Sequence, residues 1–338
     1  MKPITIDGTG GGGQMLRTAL TLSMVTGTPF RMTHIRGARR KPGLKRQHLT
    51  CVKAACEISG GTADGAEPNS TELVFRAGTV RAGSHRFAIG TAGSTGLLLQ
   101  TLLPALWLAD GPSELHLTGG THNPMAPPFE FLDRVFLPAM RLMGAEAGLE
   151  LLEAGFAPVG GGSIACRIKS SKAFAAIELT ERGEITAQRI RVPIRNLDAD
   201  IANRILNAAR LAFPCEDGAV QPLPDGPGRG VACLVEAEFG QRAEMACSFG
   251  ELAVGAKKVG QRAGRLMSTF LGTGAAVGRH LADQLLLPMA LAGNGRFTTM
   301  APDDHVATNI AVIEKFLPVS FLLTERGGGV WEISCDSV

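Results

Sequence analysis

Apolar residues recur at three- and four-residue intervals over 14–26 (QMLRTALTLSMVT), which predicts an amphipathic helix. A short run, ITI at 4–6, and a glycine tract precede it. After Gly27 comes the strand-like run PFRMTHI. The loop RGARRKPG then leads to a second helix, LKRQHLTCVKAACEI, which ends at Gly60-Gly61. The pattern returns 84 residues further on: Gly27 is matched by Gly111, and Gly60 by Gly144. This second copy holds the strand run RFAI, the helix 94–109, the strand SELHLT, the loop GGTHNPMAPP and the helix FEFLDRVFLPAMRLM. A period this long marks a repeated supersecondary unit rather than a solenoid.

A third copy starts at AAVGRHLADQLLLPMALA (275–292), which reads as a helix. The strand run RFTTM, the loop APDDH, the helix VATNIAVIEKFL and the runs VSFLL and VWEIS follow. The stretch 178–272 reads differently, with alternating strand runs (ITAQRIRVPI, VACLVEAEF), a helix (ADIANRILNAARL) and the turn LPDGPGRG. The expected fold is α+β with α/β-like repeats: a large domain built from 1–177 and 273–338, and a small inserted α/β domain over 178–272. Equivalent loops of the units would then gather 36–43, 119–128 and 301–305 around one cleft.

Composition narrows the function. With 45% hydrophobic and 19% charged residues, the chain is not disordered. No apolar run is long enough for a membrane-spanning helix, and MKPITIDGTG lacks a signal-peptide core. The seven cysteines form no CxxC, so reduced thiols in a cytoplasmic protein are expected. Residues 1–53 carry ten Lys/Arg and one acid, Asp7, whereas the remainder carries 24 basic against 30 acidic residues. That asymmetry points to an anionic ligand near the N-terminal segment. Tyr is absent from the sequence, which disfavours an aromatic stacking sheet for single strands.

Three constellations carry candidate chemistry. The tract Gly8-Thr9-Gly10-Gly11-Gly12-Gly13 matches GxGxxG, but Arg36, not an acid, stands at the end of the next strand, against a dinucleotide site. Bare N–H groups at a helix start suit an anion, and a plain tight turn also fits. Six cations, Arg36, Arg39, Arg40, Lys41, Lys45 and Arg46, fall within eleven residues without an acid, which suits a polyanion. Pro302-Asp303-Asp304-His305 opens a helix. A carboxylate there caps it, and His305 lies at its positive end, where a neutral ring nitrogen is nucleophilic. Spacing alone favours a structural His305.

Together these residues resemble the RNA 3′-terminal phosphate cyclase family over almost the whole chain. The carriers are Gly11-Gly12-Gly13-Gln14 with Arg17, then Arg36, Arg39, Gln47 and His48, and Ile89-Gly90-x-Ala92-Gly93-Ser94 running to Gln100. Further on come Gly119-Gly120-Thr121 with Pro127-Pro128, the run 155–162, Leu281-Ala282-Asp283-Gln284, and His305 with Thr308-Asn309-Ile310. The resemblance implies three βαβαββ-type repeats with a smaller insert. It implies ATP-dependent conversion of an RNA 3′-phosphate into a 2′,3′-cyclic phosphate through a covalent adduct of His305 with AMP, assisted by Mg²⁺ or Mn²⁺. Gln100, Pro127, Phe131, His280, Leu281, Ala282, Asp283 and Gln284 would hold ATP. Gln14, Arg17, Arg36, Arg39, Gln47 and His48 would face phosphate and RNA.

The sequence departs from the family pattern at three places. Gly10 stands where a metal-binding Glu is usual, which leaves Asp7 as the nearby carboxylate. His280 replaces a Tyr, and Lys257 follows Ala256 where an acid is common. A non-catalytic RNA-binding relative of the kind used in ribosome assembly is the alternative, disfavoured because His305 is present. An enolpyruvyl transferase shares this type of repeat, but its motifs are not visible. RNA bearing a 3′-terminal phosphate is the expected partner, no membrane is expected, and a homodimer is left open.

Overall fold

Gly27, Gly60 and Gly144 take φ of 70°, 61° and 77° at or just past helix ends, a conformation that suits residues without a Cβ. The 84-residue spacing visible in the sequence is therefore a spacing of helix stops. The computed structural model describes residues 2–338. Three four-stranded sheets share one topology. The first orders Ile4–Asp7, Phe30–Thr33, Leu73–Arg76 and Thr62–Asp64. The second orders Ser84–Ala88, Ser113–Gly119, Gly162–Ile168 and Ala147–Glu153. The third orders Ile177–Leu179, Asn294–Met300, Val330–Ser337 and Val319–Gly327. In each the first two strands pair parallel and the others antiparallel.

Each unit carries two helices, Gly13–Thr26 with Arg46–Ser59 in the first and Arg279–Ala292 with Asp304–Phe316 in the third. In the second unit Thr95–Trp107 is joined by a helix that starts at Phe129–Phe131, widens over Leu132–Phe136 and closes over Leu137–Leu142. Pro138 has no N–H to return to Arg134, which accounts for widening at that point. The fold is thus mixed α+β, as the repeat pattern implies. One buried cluster runs through all three units, from Ile6 and Leu16 through Leu98 and Trp107 to Leu285 and Phe297.

The fourth sheet orders Gly218–Pro222, Ala187–Arg195, Gly230–Phe239 and Arg242–Phe249, with the helices Ala199–Ala212 and Ala256–Gly272 on one face. Along Gly230–Phe239 the side chains alternate. Val231, Cys233, Val235 and Ala237 join a separate cluster under the two helices, whereas Ala232 and Leu234 join the main one. Ile177–Leu179, which straddles the expected border at 177/178, pairs with Asn294–Met300 in the third unit.

Two local readings change. The helix expected from residue 275 begins at Arg279, because Val277 is extended and donates its N–H to the Thr298 carbonyl at 3.0 Å. The helix Ala256–Gly272 is masked in sequence by Gly260 and Gly264. A Cβ at Gly260 would lie 2.1 Å from the Ile205 carbonyl oxygen, so close helix packing requires glycine there.

Candidate active site

The helix Gly13–Thr26 starts at Gly12 with no side-chain cap, so its first N–H groups are open. A Cβ on Gly12 would lie 3.2 Å from Arg39 Nη2, and one on Gly13 would lie 2.3 Å from His48 Nε2 and 2.9 Å from Arg17 Nη1. The two glycines thus let two guanidinium groups and an imidazole close onto the helix start. His48 is not one of the cations. Burial, aided by Arg17, Arg36 and Lys45, pushes its pKa down to about 3. Its Nδ1 accepts the Lys45 N–H at 3.1 Å, so Nε2 carries the proton and faces the glycines as a neutral donor. Burial also lowers the pKa of Arg17.

Gln14, the next residue, touches the third unit. Its Oε1 lies 2.7 Å from His305 Nδ1, and its Nε2 donates to Asp283 Oδ1 at 2.5 Å. Asp283 also accepts Asn309 Nδ2 at 3.2 Å, and Asn309 Oδ1 accepts the Thr18 hydroxyl at 2.7 Å. Because Asp283 needs the amide N–H of Gln14, the Gln14 oxygen is left to accept from His305. In the neutral ring Nδ1 is then the nitrogen that carries the proton, and Nε2 of the exposed His305 is the one that offers a lone pair. Burial raises the Asp283 pKa, opposed by hydrogen bonds from Gln14 and Asn309. Asp303 Oδ1 caps the helix by accepting the His305 and Val306 N–H groups at 3.0 and 3.4 Å.

Other expected residues join the units without meeting His305 directly. Gln100 Nε2 donates to Gln284 Oε1 at 2.7 Å, bridging the second and third units. Gln47 Oε1 accepts the Ser94 N–H at 3.1 Å, bridging the first and second. Arg36 turns one nitrogen back onto the carbonyls of Lys41 and Gly43, both at 2.9 Å, and so shapes the basic loop. Of the three loops expected around a cleft, 36–43 and 301–305 meet at Gly12–Gln14. The third, 119–128, closes over the 90–96 turn of its own unit, where the Pro127 carbonyl oxygen sits 3.1 Å from a Gly96 Cβ position.

Three of the expected ATP-binding residues, Phe131, Leu281 and Ala282, are 2%, 2% and 1% exposed, so their side chains pack into the core. The signal was in the helix period: 281, 282, 285 and 286 form the buried stripe, and His280, Asp283 and Gln284 lie off it. Sequence reasoning assigned no role to Thr18 and Asn309. Their polarity inside apolar helix stripes was the available clue.

Among the described residues no three His, Cys, Asp or Glu side chains converge to hold a metal. Asp7 accepts the Thr9 N–H and hydroxyl at 3.0 and 2.6 Å and faces His34 at 3.2 Å. The Thr9 bonds hold its pKa below the usual carboxylate range. Gly10 is exposed, and a Cβ there would meet nothing within 4 Å. A concavity of about 640 Å³ lined by Glu114, Arg141, Glu146, Arg167 and Lys169 shares no residue with the site. Its charges largely offset one another, as in the Lys169–Glu146 pair at 2.5 Å.

Comparison with known proteins bears on this arrangement. The family model for RNA 3′-terminal phosphate cyclase matches residues 9–323 of the 338. Among solved structures, the enolpyruvyl transferase NikO from Streptomyces tendae aligns with 98% of this chain and 48% of its own, at 13% identity and a TM-score of 0.38. EPSP synthase from Acinetobacter baumannii aligns with 99% of this chain and 65% of its own, at 13% identity and a TM-score of 0.30. The chain thus spans about half of the first and under two thirds of the second. No helix among the described residues is long and apolar enough to cross a membrane.

Proposed function

Since this chain belongs to the RNA 3′-terminal phosphate cyclase family, we propose that it is an active, ATP-consuming member that closes RNA 3′-phosphates into 2′,3′-cyclic phosphates. The observation that carries this reading is the His305–Gln14–Asp283 chain, which turns His305 Nδ1 onto Gln14 and leaves Nε2 exposed beside an uncapped helix start.

In the first step His305 Nε2 forms a bond to the α-phosphorus of ATP, and the bond to the bridging oxygen breaks with departure of pyrophosphate. The ring then bears a positive charge, which Nδ1–H shares with Gln14 Oε1. An oxygen of the RNA 3′-phosphate next attacks the same phosphorus, the N–P bond breaks and neutral His305 is restored. The vicinal 2′-OH finally attacks the RNA phosphorus, loses its proton and expels AMP. The covalent route divides one difficult displacement into easier ones.

The open N–H groups at Gly12–Gln14, with Arg17, Arg39 and the neutral His48 donor, suit the charge that develops on phosphate oxygens. Arg36 holds the loop that carries Arg39. On this reading Gln100, Gln284, Pro127 and His280 would contact the adenosine, and the Gln100–Gln284 hydrogen bond that joins the second and third units supports that role. Among the described residues no side chains form a cage for Mg²⁺ or Mn²⁺, and no step above is routed through the metal.

The test is incubation with α-labelled ATP and divalent metal, followed by addition of RNA ending in a 3′-phosphate. An acid-labile, alkali-stable label on the protein that discharges on addition of RNA supports the reading. RNA binding without any adduct would favour the non-catalytic one.

A further inference from the structure

The insert is fastened to the large body at several points. Arg195, 2% exposed, donates to the Ala154 carbonyl at 2.5 Å and pairs with Glu153 at 2.5 Å. Arg134 reaches Glu236 and Glu238 at 2.6 and 3.2 Å. Glu244 accepts the N–H of Gly278, next to the helix that carries Asp283, at 2.7 Å. The outer surface of the insert therefore keeps a fixed place relative to His305.

That outer surface includes one side of Ala256–Gly272, whose seventeen residues contain no acid. Lys257, Lys258, Arg262 and Arg265 are all exposed. At 100° per residue they share one face of the helix with Gln261, opposite the buried Val259, Ala263 and Met267. Arg262 has a loose partner in Glu251 at 3.9 Å. Lys257, Lys258 and Arg265 have no ionic partner among the described residues. The face is not a sample of the general surface, since beyond residue 53 the chain carries more acids than bases. Four like charges on one helix face repel, and an anion lying across them relieves that repulsion.

Its place also matters. Gly250, Glu251 and Leu252, just before the helix, line one concavity of about 280 Å³ together with Pro124. Pro124 belongs to the loop that carries Pro127. The basic face thus begins a few residues from the 119–128 loop of the second unit. From Lys257 to Arg265 it runs about 12 Å, the reach of about three phosphates at the spacing of one stacked strand.

We propose that this face binds the phosphodiester backbone of the substrate RNA upstream of its 3′ end, so that the insert is an RNA-holding platform. The inference rests on the RNA-cyclising reading above, and it adds a second contact region beyond the reacting terminus. The contacts are to phosphate, so they are independent of sequence and sensitive to salt.

The experiment compares the wild-type protein with Lys257→Glu/Lys258→Glu/Arg265→Glu. None of the three residues belongs to the catalytic cleft, and Glu is tolerated in helices. Two RNAs with a 3′-phosphate are used, a dinucleotide and a single strand of about twenty nucleotides. KM for cyclisation is measured with both, and anisotropy gives the affinity for the longer strand without reference to activity. The expected result is an unchanged dinucleotide KM, a KM and Kd for the longer strand raised on the order of 10- to 100-fold, and a log Kd against log salt slope shallower by about 2. Equal affinity of the two proteins for the longer strand overturns the proposal, as does an equal loss on both substrates. Competition by polyglutamate as strong as by RNA of the same charge also overturns it, in favour of an acidic protein partner. If neither protein cyclises any RNA, the functional reading fails while the anisotropy arm still decides this one.

Discussion

Two histidines stand at equivalent places in the second and third units, His122 in the loop before the second helix and His305 in that helix's first turn, and they have opposite surroundings. His122 is fully buried. Its Nε2 lies 3.0 Å from a Glu130 oxygen, its Nδ1 lies 2.8 Å from the Thr121 hydroxyl, and Phe156 stacks on the ring at 4.9 Å. His305 has one nitrogen engaged by Gln14 and the other open. Both lie where the second strand of a unit gives way to its second helix, so topology does not distinguish them. The difference lies in the partner. Glu130 comes from the helix of the same unit and closes a local structural pair. Gln14 comes from another unit, 291 residues away, and orients a ring that still faces outward. The repeat supplies the frame, and contacts between units supply the chemistry.

The comparison breaks most sharply on removal of each ring. His305→Ala is expected to abolish the protein–AMP adduct and leave stability within about 0.5 kcal/mol, as for an exposed residue. His122→Ala is expected to retain the adduct per folded molecule and lose roughly 2 kcal/mol, because Glu130 is left without its partner. Adduct yield and urea unfolding of both variants check this, and a surviving adduct in His305→Ala would refute the assignment.

Gln14→Leu tests the orienting contact. The ring stays but loses its acceptor, so adduct formation should slow about 10- to 100-fold with a smaller change in ATP KM. An unaltered single-turnover rate would mean that Gln14 does not set the ring nitrogen.

Glu244 sharpens the account of how the insert is held. Burial pushes its pKa up to about 7, opposed by the N–H groups of Gly278 and Met245 and by Arg242. The native protein therefore holds a proton that the unfolded chain releases above about 4.5. This contribution to stability is full below that pH and lost as pH rises through about 7. Glu244→Gln cannot ionise, so its stability relative to wild type should grow between pH 5 and pH 8, by about 2–3 kcal/mol. Parallel stability–pH curves would contradict the assignment of that pKa.

Much of this was legible in the sequence, because the repeat is written in residues that local backbone geometry demands. Gly60 and Gly144 end helices and so mark the period. His305 was legible through its helix-opening acids, and the basic loop through its charge. The Gln14–His305 and Glu244–Gly278 contacts were not, since no spacing rule connects side chains on different units. Nor was the neutrality of His48, which depends on burial among cations that the sequence shows only as neighbours. Phe131 fell inside the core because helix phase, rather than proximity to a motif, decides which way a side chain faces.

The smallest expected effect concerns Gly10. A side chain fits there, so Gly10→Glu should fold normally and lower the Mg²⁺ or Mn²⁺ concentration for half-maximal adduct formation by about 3- to 10-fold. Superimposable titrations would place any metal elsewhere, with Asp7 the first alternative.

The most direct test of the central claim is to locate the AMP. After brief reaction with ATP and metal, tandem mass spectrometry of alkaline digests should find adenylate on the peptide containing His305, at the imidazole, and on no Lys or Ser. Adenylate on another residue, or a protein that cyclises RNA without passing through any adduct, would contradict the account.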